Sequence, residues 1–171
     1  FAIVVDCVES SHELALLRPI LRNAEYRILG PDLIKRMLNI VEKGSLWEGY
    51  AQCAFGMVSI FGTRESSLGK SSLQRALEIA EDLENDDLEM RVHFCLSLAS
   101  WEFMKARESE EHGRTAVNLS IRRNDPEQEL NSRFCLGRVL LMSGRVEETR
   151  RNQKAIDLLE ERTGERGLGY S

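Results

Sequence analysis

The stretch Phe55-Gly56-Met57-Val58-Ser59-Ile60-Phe61-Gly62-Thr63-Arg64-Glu65-Ser66-Ser67-Leu68-Gly69-Lys70-Ser71-Ser72 holds the residues best suited to phosphate chemistry. An apolar run leads into a Gly-bearing loop, and Gly-Lys-Ser then precedes a helix. A phosphate-binding loop places its first Gly five residues ahead of the second. Arg64 stands at that position, and its side chain obstructs a tight backbone cradle. No apolar strand ending in Asp follows to hold magnesium. The same residues also read as the end of one helix, a turn and the start of the next, and no nucleotide or other cofactor is expected.

The other reactive side chains are scattered. His12, His93 and His112 form neither a His-x-x-x-His nor a His-Glu-x-x-His pattern, so no helical zinc site is expected. His93, beside Phe94-Cys95, reads as a packed or hairpin-lining residue, and His112 as part of a solvated face. Cys7, Cys53, Cys95 and Cys135 lie 46, 42 and 40 residues apart, far from the C-x2-C spacing of metal sites. Each sits among apolar neighbours, as a buried free thiol does in a reducing compartment. Glu81, Asp82, Glu84, Asp86 and Asp87 cluster at the end of one predicted helix, where Asp86 or Asp87 would cap the next. No catalytic residue or metal ligand is singled out, and an enzyme is not expected.

Bulk properties narrow the partners. The net charge of −5 disfavours nucleic acid, because phosphate binding needs clustered cations, and Arg122-Arg123 and Arg150-Arg151 have acidic neighbours. No stretch approaches the roughly 18 apolar residues of a membrane span. Phe1–Val5 is apolar but ends at Asp6, without the flanks of a signal peptide. A cytoplasmic location follows as the expectation. With 42% hydrophobic and 30% charged residues, 171 residues suit one domain or one short repeat array.

Positioning any of these residues falls to helices. Apolar periodicity of helical length runs through 12–29, 31–42, 46–61, 71–83, 87–105, 108–123, 126–142 and 146–162. Gly30-Pro31, Asp125-Pro126 and Gly144 supply stop and start signals. Arg75-Ala76-Leu77-Glu78-Ile79, Thr115-Ala116-Val117-Asn118-Leu119 and Lys154-Ala155-Ile156-Asp157-Leu158 align without gaps, their alanines 40 and 39 residues apart. Arg36-Met37-Leu38-Asn39-Ile40 repeats the pattern 39 residues earlier with Met in the alanine slot. Phe94-Cys95-Leu96-Ser97 and Phe134-Cys135-Leu136-Gly137 match at an offset of 40. Such periods mark stacked helix pairs, here roughly 12–43, 46–84, 87–123 and 126–162. The chain opens on Phe and frays at both ends, as expected of a segment of a longer protein.

Leu136-Gly137-Arg138-Val139-Leu140-Leu141-Met142-Ser143-Gly144-Arg145-Val146-Glu147-Glu148 resembles the tetratricopeptide consensus. Gly137 and Gly144 have the family's spacing, and an acidic stretch opens the second helix. Ala155 falls one residue short of the family's later alanine. The small residue usual early in the second helix is replaced by Thr149, Glu110 and Lys70 in successive copies. The period of 39–40 is similar to the tetratricopeptide-like sensor regions of LuxR-type transcription regulators and signal-transduction ATPases. The resemblance implies an all-α tetratricopeptide-like solenoid, a right-handed superhelix of about four helix pairs, with first helices lining a groove for a protein or peptide.

Carried over residue by residue, the groove positions are Arg91, Phe94, Leu98, Trp101 and Glu102 in the third pair. In the fourth they are Asn131, Phe134, Arg138, Leu141 and Met142, and in the second Gln52, Gly56, Ser59 and Ile60. Trp101 reads either as a binding hot spot or as an aromatic filling the seam between pairs. The function expected is a protein–protein interaction scaffold within a larger regulatory or signalling protein. The alternatives are a small-molecule-sensing region with an enclosed aromatic-walled pocket, and a self-association module using Phe1–Val5 or Gly167–Tyr170.

Overall fold

The computed structural model describes residues 34–164. The expected helix at 12–29 and both apolar termini lie outside them. Among the described residues every regular element is helical and no strand occurs. A short helical stretch at 34–38 is followed by α1 (Leu46–Phe61), α2 (Ser66–Asp82), α3 (Asp86–Glu102), α4 (Ala106–Arg122), α5 (Pro126–Met142) and α6 (Val146–Thr163). No helix among the described residues is long and apolar enough to cross a membrane.

The helices start at positions twenty residues apart, and two local devices set that beat. Ser45, Asn85 and Asp125 precede α1, α3 and α5. Their side-chain oxygens accept the N–H groups of Glu48, Leu88 and Gln128 at 3.2, 2.9 and 3.0 Å. Each satisfies a donor that the helix itself leaves unpaired. The Glu48 carboxylate reaches back to the Gly44 N–H at 2.5 Å, in the manner of a capping box. The residues before α2, α4 and α6 (Glu65, Lys105 and Arg145) make no such bond. Side-chain caps therefore mark every second helix, and the unit is a forty-residue pair.

The second device is the turn. Glu84, Met104, Asn124 and Gly144 adopt left-handed backbone, with φ of 49°, 57°, 53° and 70°. The N–H of each following residue returns to Ala80, Ser100, Ser120 or Leu140 at 2.9–3.0 Å, which closes a Schellman turn. Met104 occupies this conformation with 85% of its surface exposed. A side chain there costs roughly 1–2 kcal/mol that glycine avoids, partly offset by glycine's freedom when unfolded. Met104→Gly is therefore expected to stabilise the chain by about 0.5–1 kcal/mol, read as a higher urea midpoint at unchanged slope.

Consecutive helices pack as antiparallel neighbours, and α1 also touches α3 as α3 touches α5. The core follows these joints. Leu73, Leu77 and Ala80 of α2 share a buried cluster with Leu88, Val92 and Ala99 of α3. Val117 of α4 clusters with Leu136 and Leu140 of α5, and Leu130 of α5 with Ile156 and Leu159 of α6.

Several expectations shift by one residue or more. Helix α2 begins at Ser66, not residue 71, so Gly69-Lys70-Ser71 is helical and not a phosphate loop. Gly69 serves packing: a β-carbon there would meet Ile60 at 2.5 Å and the Gly56 carbonyl oxygen at 2.7 Å. The forty-residue beat aligns Gly69 with Ser109 and Thr149, so the small slot early in the second helix is filled one residue before Lys70 and Glu110. Ser109 is fully buried, and its hydroxyl donates to the Ser97 carbonyl at 2.8 Å. The same beat puts Ile156, not Ala155, in the slot of Ala76 and Ala116, and all three are buried. Asn85, not Asp86 or Asp87, caps α3.

Candidate functional site

The first helices of the pairs, α1, α3 and α5, carry the expected groove positions. Arg91, Phe94, Leu98, Trp101 and Glu102 of α3 are matched forty residues on by Asn131, Phe134, Arg138, Leu141 and Met142 of α5. The equivalents on α1 are Ala51, Ala54, Val58 and Phe61. The expected set there, Gln52, Gly56, Ser59 and Ile60, is offset in register. Ser59 is 1% exposed, and Gly56 and Ile60 are buried where α1 meets α2, while Gln52 is half-buried. These three buried residues offer a partner no surface. Ile34 clusters with Phe55 and Val58, and Leu38 and Ala54 pack against that cluster, which covers part of the row on α1.

On α3 and α5 the row is accessible to different degrees. The Arg138 guanidinium lies over the Trp101 ring, 5.5 Å from its centroid, which joins neighbouring first helices through a cation–π contact. Beneath them a hollow of about 10 Å³ is lined in part by Ser97, Leu98 and Cys135, too small for more than one water. Trp101 is half-buried, so it both seals that hollow and shows a face. Leu98, Trp101 and Arg138 are thus brought together. One turn further along α5, Leu141 and Met142 are 60% and 69% exposed. Glu102 is exposed, Phe94 and Phe134 are half-buried against core clusters, and Asn131 is buried.

Arg91 is engaged elsewhere. Asp87 accepts from the Tyr50 hydroxyl at 2.6 Å and from Arg91 Nε at 2.8 Å, and pairs with Arg123 Nη2 at 3.0 Å. This knot ties α1, α3 and the end of α4. Burial alone would raise the Asp87 carboxyl, but the Arg91 and Tyr50 bonds and Arg123 hold it below its ordinary range. Burial, and then the Asp87 carboxylate, push the Tyr50 phenol up.

Two further clusters join side chains far apart in the sequence. His93 of α3 and His112 of α4, nineteen residues apart across the α3–α4 turn, meet Nδ1 to Nδ1 at 2.9 Å. His112 is therefore half-buried against a partner and not on a solvated face. Forty residues on, Arg133 and Asn152 hold the same places, with Asn152 Nδ2 donating to the Arg133 carbonyl at 2.8 Å. Burial and then the neighbouring His112 bring His93 down to about 4; burial also lowers His112, opposed by Glu108 and Glu111. The short Nδ1 contact needs one donor and one acceptor, so protonating both rings breaks it.

Both folded values lie below the ordinary 6.5, so the unfolded chain takes up protons first. Stability is expected to be level above pH 7 and to fall by about 1–3 kcal/mol as pH drops from 6.5 towards 4. The pair His93→Arg with His112→Asn, which copies the next repeat, should flatten that slope in urea titrations. An unchanged slope would assign the effect to other groups.

Cys53 and Cys95 are buried with sulfurs 3.6 Å apart across α1 and α3. The Cys53 contact and then burial raise the Cys95 thiol, and burial lifts Cys135 to about 11. Cys95 and Cys135 stay protonated at neutral pH and pack as apolar groups. Among the described residues no three His, Cys, Asp or Glu side chains converge as metal ligands. Compared with family models, curated proteins and solved structures, the chain finds no match in any of the three.

Proposed function

We propose that this chain is a tetratricopeptide-like solenoid whose first helices form a docking face for a protein or peptide, within a larger regulatory or signalling protein. The packing of α3 on both α1 and α2, and of α5 on both α3 and α4, supports the solenoid reading. The observation that carries the docking reading is the Trp101–Arg138 stack beside the exposed Leu141 and Met142. An aromatic plate, a guanidinium and uncovered aliphatic side chains in one row suit a segment carrying both apolar and acidic residues. We read the role as binding rather than catalysis, and the commitment of several titratable groups to one another supports that reading. Asp87 is held in ion pairs, the two histidines are paired, and Cys95 and Cys135 are kept protonated. A cytoplasmic location is part of the same reading.

A random peptide library displayed on phage and panned on the chain tests this. Enriched peptides are expected to combine acidic with aromatic or aliphatic residues. Their affinity should drop roughly tenfold or more for Trp101→Ala and for Arg138→Gln, with helicity unchanged by circular dichroism. Failure to enrich, or equal binding to both variants, would remove the face from consideration. Self-association is the second reading, favoured by the cluster of exposed Leu141, Met142 and Val146 at the α5–α6 turn. Light scattering at increasing concentration separates the two.

A further inference from the structure

A second concavity lies away from the first-helix row. The second helices α4 and α6 approach each other through side-chain ion pairs, and between them opens a cleft of about 330 Å³ with α5 as its base. Val117, Leu136 and Leu140 form an apolar floor. Three of the lining side chains are guanidinium groups (Arg114, Arg133 and Arg151), against one carboxylate, Glu148. Forty residues earlier the same three places hold Gln74, His93 and Glu111, so pair-on-pair packing does not itself require this cationic rim.

The charges are arranged unevenly around the opening. Glu110, Arg114, Glu148 and Arg145 form a closed ring of ion pairs bridging α4 and α6, with Arg114 at 2.9 Å from Glu110 and 2.6 Å from Glu148. Arg133 pairs with Glu129 at 2.7 Å. Arg151, one helical turn beyond the ring, is exposed, and its hydrogen bond runs to the Glu147 carbonyl at 3.3 Å, not to a carboxylate. Positive charge above a greasy floor suits an anion with an apolar body. The planar fork of arginine matches a carboxylate in particular. The volume is at the lower end of small-molecule sites.

We propose that the cleft between α4, α5 and α6 binds a small organic monocarboxylate. Its charged end meets Arg151 and Arg114, and its aromatic or branched body lies on Val117, Leu136 and Leu140. The ligand carboxylate competes with Glu148 for Arg114, so ligand and ion-pair ring oppose each other. This site is independent of the docking face and stands or falls without it.

Calorimetric titration of the whole 171-residue chain with 4-phenylbutyrate, 4-phenylbutyramide and inorganic phosphate tests the assignment. Phenylbutyrate should saturate with a Kd of about 1 mM or tighter, and the uncharged amide should bind roughly tenfold more weakly. Arg151→Gln, at an exposed position, should weaken phenylbutyrate roughly tenfold, while Glu148→Gln, which frees Arg114, should tighten it. Opposite signs from two neighbouring substitutions would not arise from a loss of structure. The proposal is overturned by lack of saturation, by equal binding of acid and amide, or by an Arg151→Gln variant that binds as before. Phosphate binding as tightly as phenylbutyrate would equally reject it, since the floor would then contribute nothing.

Discussion

Gly69→Ala is expected to destabilise the chain by about 2–4 kcal/mol, although alanine is the better helix former by about 1 kcal/mol. The added β-carbon would stand 2.7 Å from the Gly56 carbonyl oxygen and 2.5 Å from Ile60 Cγ1. A side chain can move aside, but the oxygen belongs to the backbone of α1. Relief therefore requires α1 and α2 to separate along their whole crossing. Gly113→Ala is the internal comparison. Its β-carbon would lie 3.1 Å from the Ser97 hydroxyl and 3.6 Å from Leu136, both side-chain atoms. There the propensity gain should balance the contact and leave stability within about 0.5 kcal/mol of the parent. Urea unfolding of both variants reads the difference. A neutral Gly69→Ala would mean that the α1–α2 crossing is looser than described.

Leu88→Ala should cost about 3–4 kcal/mol, the upper part of the range for emptying a buried leucine site. Leu88 has no exposed surface and shares a cluster with Ala76, Leu77 and Ile79 of α2 and Val92 of α3. It also fills the space over Gly49 of α1: a β-carbon at Gly49 would fall 2.3 Å from Leu88 Cδ2. Three helices and two pairs meet at this one side chain. The same contact predicts a coupling. Gly49→Ala should be destabilising alone, yet better tolerated in the Leu88→Ala background, where the vacated space accepts the new methyl. An interaction term of about 1–2 kcal/mol in the double-mutant cycle is expected. Strict additivity would show that the two residues do not share that space. Leu158→Ala, exposed on α6, serves as the control with little effect.

Helices α1 and α5 fall where apolar periodicity places them, over Leu46–Phe61 and Pro126–Met142, and Asp125-Pro126 also marks the start of α5. Both begin with side-chain caps and carry apolar residues at helical spacing. Helix α2 starts ahead of the residue 71 that apolar spacing predicts, because Ser66-Ser67-Leu68-Gly69 reads as loop when taken alone. Its helical state follows from contact with α1, where a residue lacking a β-carbon lets the backbones approach. In the region 31–42 apolar spacing predicted a full helix, whereas the described part is helical only over 34–38 and then turns toward Ser45.

The proposed face shows the same division more sharply. Arg91 through Glu102 and Asn131 through Met142 follow from one another at an offset of forty, whereas the set expected on α1 lies outside that register. A helix advances about 100° per residue, so a register slip redirects a side chain from open surface to the joint with the next helix. That angle is why Ser59, expected in the groove, is buried. Likewise, the meeting of His93 with His112 depends on how α3 and α4 cross, which no motif marks.

By itself the sequence determined the helical class, the near-forty-residue period and several helix ends. Those depend on bonds within a few residues: caps, left-handed turns and apolar spacing along one helix. Only the tertiary structure decided which side chains meet: Trp101 with Arg138, His93 with His112, Arg114 with Glu148, and Gly69 with the Gly56 backbone. These meetings depend on the register and crossing of separate helices, which are set by many weak contacts acting together and are encoded in no single stretch of chain.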